Sequence, residues 1–181
     1  GEEKYYAGVT QFALDILPAG KYSFKVKAVT ESGKESAWSE SVAYEKQEVS
    51  PFEMKLINAN TEYEIKSVGI ASGEVVIENT YKGLPITSIG DKAFANSYVS
   101  SIKLGDNIKS IGNSAFKNCS KLTAITLNEG LTEIGDYAFQ SCSSLEKIEM
   151  TETLLTLGEY AFSYCTALKS VELNGGCKKI S

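Results

Sequence analysis

The chain has 181 residues, 43% of them apolar, and a formal net charge of -5, which together favour a folded globular protein over a disordered one. All 18 basic residues are lysine, so the acidic balance and the lack of arginine argue against nucleic-acid binding. The lack of histidine removes Ser/His/Asp triads, Cys/His dyads and most catalytic zinc sites, and the apolar runs are too short for membrane insertion.

Residues 1–48 carry aromatic and β-branched residues in short alternating runs. Four strands are predicted in this segment, at residues 4–9, 12–16, 22–29 and 40–44. The runs LPAGKYSFKVKAV (residues 17–29) and WSESVAY (residues 38–44) resemble the last strands of a fibronectin type III domain, in which a Leu-Pro-x-Gly turn leads to a tyrosine corner. The resemblance implies an antiparallel all-β segment that forms only part of a sandwich, because such a domain needs about seven strands. Unpaired sheet edges in a partial sandwich would favour self-association.

Residues 49–85 have the pattern of paired strands. The run EYEIKSVGI (residues 62–70) alternates polar and apolar residues, and VVIENTYKGLPITSIG (residues 75–90) contains a glycine turn between two apolar segments. We therefore predict a β-hairpin cap over residues 49–85.

A repeated unit occupies residues 86–181. The hexapeptides IGDKAF, IGNSAF, IGDYAF and LGEYAF begin at Ile89, Ile111, Ile134 and Leu157, at intervals of 22, 23 and 23 residues. Each hexapeptide is followed by one of the segments VSSIKL, LTAITL, LEKIEM and LKSVEL, which share the pattern LxxIxL. This alternation predicts one strand per repeat, and stacking of the repeats joins their small apolar faces into one core.

Equivalent apolar side chains of successive repeats are expected to form ladders inside the stack. The predicted ladders are Ile102/Ile125/Ile148/Val171, Leu104/Leu127/Met150/Leu173, Ile108/Leu131/Leu154/Cys177, Ile89/Ile111/Ile134/Leu157 and Phe94/Phe116/Phe139/Phe162. The glycine that follows each Ile or Leu is expected to supply a positive φ or a close backbone approach. A short helical turn is expected to begin at the Ala-Phe pair after it.

The consensus IGxxAFxxCxxLxxIxL, with its 23-residue period, resembles the BspA-type leucine-rich repeat of bacterial surface and secreted proteins. The resemblance implies a leucine-rich-repeat solenoid of the α/β horseshoe class, with one parallel strand and one short helical turn per repeat. It also implies an extracellular or cell-surface protein of bacteria that binds and does not catalyse. The sequence stops at Ser181, where another IGxxAF would begin, so we expect part of a longer array whose uncapped last repeat could self-associate.

Cys119, Cys142 and Cys165 recur at the repeat period, three residues after each phenylalanine, and Ser97 takes this place in the first repeat. Stacked cysteines could form a disulfide or a metal site. Parallel side chains on adjacent repeats, and the absence of CxxC spacing, favour instead a buried ladder of free thiols. Cys177 falls on a Leu/Ile ladder and is expected to belong to the core.

Two surfaces are candidates for ligand contact. The outward positions of the stacked strands are Ser101, Lys103, Ala124, Thr126, Lys147, Glu149, Ser170 and Glu172. They are polar and lack aromatic residues, whereas protein-binding hot spots are rich in tyrosine. Tyr137, Tyr160 and Tyr164, on the turn side of the repeats, are the second candidate. The alternative is that these rings are solvated and only shield the phenylalanine ladder.

Asp91, Asp136 and Glu159 recur in line with Asn113 and could form a calcium rail. Calcium takes about six to eight oxygen ligands, more than one carboxylate per repeat supplies. We therefore expect these side chains to accept hydrogen bonds from backbone N–H groups of the following turn. Neither a metal site nor a cofactor is expected.

Three functions remain compatible with the sequence. The first is a non-enzymatic extracellular adhesion protein that contacts a host or microbial protein or glycan. The second is a structural spacer, or stalk, within a larger surface protein. The third is an accessory region of a carbohydrate-active protein, or a weak enzyme that uses carboxylates such as Glu149 and Glu172.

Overall fold

The computed structural model describes residues 20–30, 32–46, 50–69, 71–172, 177 and 179–180. The chain divides into two compact units, Gly1–Val49 and Ser50–Ser181. The strands predicted at residues 4–9 and 12–16 lie outside the described residues. Within the described ranges, no helix is both long enough and apolar enough to span a membrane.

The first unit contains an antiparallel pair of strands, β1 (Gly20–Phe24) and β2 (Val42–Lys46). β1 ends earlier than the predicted strand at residues 22–29, and beyond it an isolated bridge joins Val29 to Glu35. Gly33, with φ of 82°, lies in the turn between the bridge partners. Because two of the four predicted strands lie outside the described residues, the fibronectin type III resemblance stays a prediction.

The second unit begins with an antiparallel hairpin, β3 (Glu53–Ile57) and β4 (Glu62–Ser67), joined through a 3-10 segment at Asn58–Asn60. Three more strands follow: β5 (Gly73–Val76), β6 (Thr80–Tyr81) and β7 (Leu84–Ile89). β6 and β7 pair around Lys82 and Gly83, both with positive φ, as a two-residue hairpin turn of type I′ requires.

Each repeat then contributes one strand to each of two parallel sheets. The LxxIxL segments form β8 (Val99–Lys103), β10 (Ala124–Thr126), β12 (Ile148–Glu149) and β14 (Val171–Glu172). The segments that end just before each glycine form β9 (Ser110–Ile111), β11 (Glu133–Ile134), β13 (Thr156–Leu157) and β15 (Lys179–Ile180).

The first sheet follows the order β5-β8-β10, and a bridge from Ala124 to Lys147 leads on to the parallel pair β12 and β14. The second sheet follows the order β3-β4-β7-β9-β11-β13-β15, and the pairs along this order are parallel from β4 onward, while β6 pairs antiparallel with β7 at the side. The stack is therefore a β-solenoid, which confirms the predicted solenoid fold, but each repeat has two strands where one was predicted.

The predicted ladders form the core of this solenoid. Apolar residues at equivalent places pair in register, such as Ile102 with Ile125 and Ile111 with Ile134, and these side chains are buried. Neighbouring ring centroids are 4.9, 5.1 and 5.3 Å apart along Phe94, Phe116, Phe139 and Phe162. Phe52 closes the N-terminal end of the phenylalanine ladder, 5.7 Å from Phe94. Leu173 lies outside the described residues.

The corner after each glycine consists of tight turns, in place of the predicted helical turn. In the first repeat the N–H groups of Ala93 and Ala95 donate to carbonyls three residues earlier, whereas the N–H of Phe94 donates to Ala115 of the next repeat over 2.7 Å. A helix would keep these N–H groups within its own turns, so bonding between repeats replaces it. The alternation places left-handed residues twice per repeat, at Lys92/Ser114/Tyr137/Tyr160 and at Asn96/Asn118/Ser141/Tyr164.

The repeat glycines permit close packing of one repeat on the next. A Cβ on Gly135 would lie 2.6 Å from Oδ1 and 2.8 Å from the backbone nitrogen of Asn113, and a Cβ on Gly112 would meet Asp91 in the same way. None of the four repeat glycines has a positive φ. Of the two reasons predicted for these glycines, the close backbone approach is the one observed.

The cysteines form the predicted ladder of free, buried thiols. Cys119, Cys142 and Cys165 donate to backbone carbonyls of the preceding repeat, at distances of 2.9, 3.1 and 3.0 Å. None of the four cysteines forms a disulfide, and Cys177 is only half-buried. The thiols of Cys119 and Cys165 on either side, together with burial, raise the pKa of Cys142. The Cys142 thiol therefore stays protonated at neutral pH and acts as a small apolar group.

Candidate binding surfaces

The outward residues of the first sheet form a polar surface. Lys103 pairs in register with Thr126, and Glu149 with Glu172, so the predicted positions do lie on neighbouring strands. Ala124 and Ser170 are exposed, and Ser101 is half-buried. Lys147 forms an ion pair with Glu149, and this hydrogen bond lowers the pKa of Glu149. The charges of Lys147 and Glu149 are therefore paired with each other, and none of the residues predicted on this surface is aromatic.

Tyr137, Tyr160 and Tyr164 form a second surface, which we call the tyrosine ridge. The rings of Tyr137 and Tyr160 stack with their centroids 5.4 Å apart and their planes at 12°. The ammonium of Lys117 lies 5.7 Å from the centroid of the Tyr137 ring, within cation–π range. Tyr160 and Tyr164 are 62% and 72% exposed. The ridge therefore offers two open aromatic rings, and one of them, Tyr160, stacks on the half-buried ring of Tyr137.

The backbone under the ridge is left-handed, with φ of 56° at Tyr137, 53° at Tyr160 and 60° at Tyr164. Bulky residues rarely adopt this conformation, whereas asparagine tolerates it. At the place of Tyr164, the first two repeats have Asn96 and Asn118, both with φ of 61°. The solenoid imposes the left-handed turn, so the turn itself does not account for a tyrosine there.

The recurring acidic and amide side chains connect the repeats to each other. Oδ1 of Asp91 accepts a hydrogen bond from the backbone N–H of Asn113 at 2.7 Å. In the same way, Oδ1 of Asn113 accepts the N–H of Asp136 at 2.8 Å, and Oδ1 of Asp136 accepts the N–H of Glu159 at 2.8 Å. The predicted bonding to backbone N–H groups holds, but the donor is in the next repeat and not in the same turn. Within the described part of the chain, no group of three His, Cys, Asp or Glu residues could hold a metal ion.

A third surface, which the sequence did not predict, lies on the second sheet. It is an open trough of about 750 Å³, which we call the sheet trough. Ser88 and Ser110, paired across β7 and β9, form its floor together with Gly112, and Glu62 and Glu64 of the hairpin stand beside them. The one signal in the sequence is that serine precedes Ile89 and Ile111, whereas the later repeats have the larger Glu133 and Thr156 at this place.

A β-bulge lies at the edge of this trough, where the hairpin pairs with β7. Tyr63 of β4 pairs with Ile86, but Glu64 pairs with Ser88, so Thr87 is an extra residue on β7. Side chains of successive strand residues normally point to opposite faces, whereas a bulge re-aims them, and both Thr87 and Ser88 line the trough.

The carboxylate of Glu62 is held in a fixed orientation at the trough. Its Oε2 accepts the hydroxyl of Thr87 at 2.7 Å and the amide of Asn58 at 2.6 Å. These two bonds, with a smaller contribution from the charge of Lys109, lower the pKa of Glu62. Glu62 is thus ionised at neutral pH and oriented by neutral donors rather than by an ion pair.

Comparison with protein families identifies the repeats. The model described as the BspA type leucine rich repeat region matches residues 87–181 in six copies, just over half of the chain. No curated protein matches the sequence.

Solved structures of bacterial leucine-rich repeat proteins share the fold. A leucine rich repeat protein of T. pallidum is 31% identical, with a TM-score of 0.70, and the match covers 75% of this chain and 64% of that one. A leucine-rich repeat protein from Bacteroides capillosus is 25% identical, with a TM-score of 0.61 over 71% of this chain and 97% of that one. A leucine rich cell surface protein from Faecalibacterium prausnitzii, 23% identical with a TM-score of 0.53, covers 72% of this chain and 43% of that one and supports the fold alone.

Proposed function

Because the chain belongs to the BspA-type leucine-rich repeat family, we propose that it is a non-enzymatic adhesion protein that binds an extracellular protein through the tyrosine ridge. Leucine-rich repeat proteins generally bind other proteins, and their fold is typically non-enzymatic. Members of this family occur in surface and secreted proteins of bacteria, which supports a location at the bacterial surface or outside the cell. The exposure of Tyr160 and Tyr164 is the observation that carries the proposal.

The tyrosine ridge has the chemistry of a protein-binding hot spot. Tyrosine and tryptophan are enriched in hot spots because a large ring buries much area and loses little side-chain entropy. Tyr160 is already stacked on Tyr137, so its ring loses less freedom when a partner covers it. Lys117 beside the ridge adds a positive charge that can pair with an acidic partner residue.

The backbone conformation supports a role for these rings beyond folding. A left-handed turn favours asparagine or glycine, yet Tyr160 and Tyr164 have φ of 53° and 60° there. The solenoid imposes this conformation at the same two places in every repeat, so folding requires the turn and not the bulky, exposed ring that Tyr160 and Tyr164 place in it. Tyr164 has no ring stacked on it among the described residues, so intramolecular packing offers little compensation.

The pKa of Glu149 does not suit the acid of a glycoside hydrolase. Glu149 and Glu172 lie side by side on β12 and β14. Hydrolysis of a glycoside needs one carboxyl group with a raised pKa, whereas Lys147 lowers the pKa of Glu149. A binding role is therefore favoured over an enzymatic one.

The proposal is tested by interferometry with the full chain on the sensor and a panel of purified extracellular-matrix and bacterial surface proteins in solution. We expect saturable binding to at least one of them. A double variant, Tyr160→Ser with Tyr164→Asn, is expected to bind about tenfold more weakly or less. The matched control is Tyr98→Ser, because Tyr98 is 76% exposed in the first repeat and outside the ridge.

Two results would overturn the proposal. Equal affinity of the parent and the double variant would exclude the tyrosine ridge as the contact surface. The absence of saturable binding to every protein in the panel would favour the alternative of a structural spacer.

A further inference from the structure

The hairpin strand β3 forms one end of the second sheet. It pairs with β4 on one side, and no strand in the described part of the chain pairs with its other side. Leu56 of β3 is 42% exposed, although it shares a face of the strand with Met54, which packs against the core. The backbone N–H and C=O groups along such an edge can pair with a strand of another molecule. β3 is therefore an edge at which this unit can extend its sheet.

The charges of β3 decide which strand can pair there. Glu53 and Lys55 are exposed and lie on one face of β3, because side chains two residues apart share a face. Across β4, Glu53 forms an ion pair with Lys66 at 3.7 Å, and Lys55 forms one with Glu64 at 3.3 Å. Charges in an edge strand oppose pairing with a second strand, unless that strand offers opposite charges at the same spacing. An antiparallel second copy of β3 offers them.

A two-fold axis at Met54 matches both charges of β3 with opposite charges. In an antiparallel pair of β3 strands about this axis, Glu53 of each copy lies opposite Lys55 of the other, so the symmetry forms this pair twice. Each pair extends the ion pairs already present, and a row across the joined sheets then alternates in charge through Lys66, Glu53, Lys55 and Glu64. An axis at Glu53 or at Lys55 would place like charges directly opposite each other, which destabilises paired strands. The charges therefore favour one register.

The same register covers apolar surface on the other face of β3. It places Leu56 beside Phe52 of the second copy, and Met54 beside its own equivalent. Phe52 is buried and its ring centroid lies 5.7 Å from that of Phe94, so Leu56 would be covered at the end of the core. Burial of apolar surface supplies free energy of association, whereas the exposed ion pairs fix the register.

We propose that β3 is a contact between two copies of this chain, which pair antiparallel about a two-fold axis at Met54. The pairing joins the second sheets of both copies into one continuous sheet. β3 has only five residues, so the contact is smaller than a standard interface and the dissociation constant of the dimer lies above about 1 μM. The contact does not rest on the tyrosine ridge, because β3 contains none of its residues. A dimer presents two ridges, which strengthens binding to a partner with repeated sites.

Sedimentation velocity of the full chain from micromolar to millimolar concentration tests this contact. We expect a reversible monomer–dimer equilibrium without larger species, because a two-fold contact closes on itself. Lys55→Glu and Glu53→Lys should each weaken the dimer about tenfold or more, since each replaces two opposite-charge pairs with two like-charge pairs. Their circular dichroism spectra should match the parent, because exposed ion pairs contribute little to folding stability. Lys121→Glu is the matched control, since it reverses an exposed lysine outside β3.

A mixture of the two charge variants tests the register. Glu53→Lys presents two lysines and Lys55→Glu presents two glutamates, so the mixture restores both opposite-charge pairs and should form a heterodimer about as tight as the parent dimer. The double variant of the tyrosine ridge should dimerise as the parent does, so failure of the ridge proposal leaves this contact standing. Three results would overturn the contact: a monomer at every concentration, a dimer that both single variants retain, or a mixture that does not associate.

Discussion

Tyr164 occupies the place in its repeat that Asn118 occupies two repeats earlier, and the two residues share left-handed φ values of 60° and 61°. Asn118 donates its amide to Asn96 over 3.0 Å, whereas the ring of Tyr164 is exposed. We predict that Tyr164→Asn raises the free energy of unfolding by about 1 kcal/mol, because asparagine tolerates this conformation better. Urea denaturation measures the change, and Asn118→Tyr should lower stability. A Tyr164→Asn variant less stable than the parent would contradict the strain argument.

Phe139 lies in the middle of the phenylalanine ladder, with ring centroids 5.1 and 5.3 Å away on either side. Truncation in Phe139→Ala leaves a cavity between two repeats and should lower the free energy of unfolding by about 3 to 5 kcal/mol. Thermal and urea denaturation measure this loss. Phe162→Ala, at a partly buried ring of the same ladder, should cost less. Equal melting of parent and Phe139→Ala would show that the ladder does not stabilise the stack.

Gly135→Ala should destabilise the stack through steric overlap and not through φ. The new Cβ would lie 2.6 Å from Oδ1 and 2.8 Å from the backbone nitrogen of Asn113, and the backbone atom cannot move without displacing the repeat. We expect a loss of about 1 to 3 kcal/mol in urea denaturation. Gly83→Asn is the control, because φ of 78° suits asparagine and the position is open. Stabilisation by Gly135→Ala would refute the close approach.

Thiol titration should separate the ladder cysteines from Cys177. Cys119 and Cys142 are fully buried and donate to backbone carbonyls, so they should react with a thiol reagent only after denaturation. Cys177 is half-buried and should react first in the native protein. Mass spectrometry of the labelled native chain identifies the site. Rapid native labelling of Cys142 would disprove the buried ladder.

Glu62 should make the stability depend on acid pH. Hydrogen bonds from Thr87 and Asn58 hold the folded-state pKa of Glu62 below its ordinary value of 4.5. The contribution of Glu62 is therefore complete above the ordinary pKa and is lost as the pH falls through the folded-state pKa. Urea denaturation of the parent and of Glu62→Gln at stepped pH should give a constant difference at neutral pH that shrinks below 4.5. A difference that widens on acidification would mean that the sign is wrong.

The solenoid was predictable from the sequence because its core is periodic. Ile111 and Ile134 recur at the repeat interval, and stacking then places equivalent side chains together without further information. The turn after each glycine was not predictable in the same way. Hydrogen bonds between repeats, such as that of Phe94 to Ala115, determine it, and a single repeat read alone favours a helical turn.

The candidate surfaces were predictable to different degrees. The position of Tyr160 and Tyr164 in the repeat predicts that they lie on the turn side. Their left-handed backbone conformation could not be predicted from the sequence. The sheet trough depends on the register between β4 and β7, which shifts at Tyr63 because Thr87 is an extra residue. Nothing in the order of residues marks that shift, since it arises from pairing between the cap hairpin and a distant strand.

A side chain of one repeat accepts a backbone N–H of the next repeat. Oδ1 of Asn113 accepts the N–H of Asp136, and Oδ1 of Asp136 accepts the N–H of Glu159. Duplication or deletion of a whole 23-residue unit therefore preserves all of these partners, and the length of the array can change in evolution without new compensating substitutions. Duplication of a repeat does not copy the sheet trough. It depends on one extra residue, Thr87, where the hairpin meets the first repeat, so copying repeats multiplies ridge positions and not troughs.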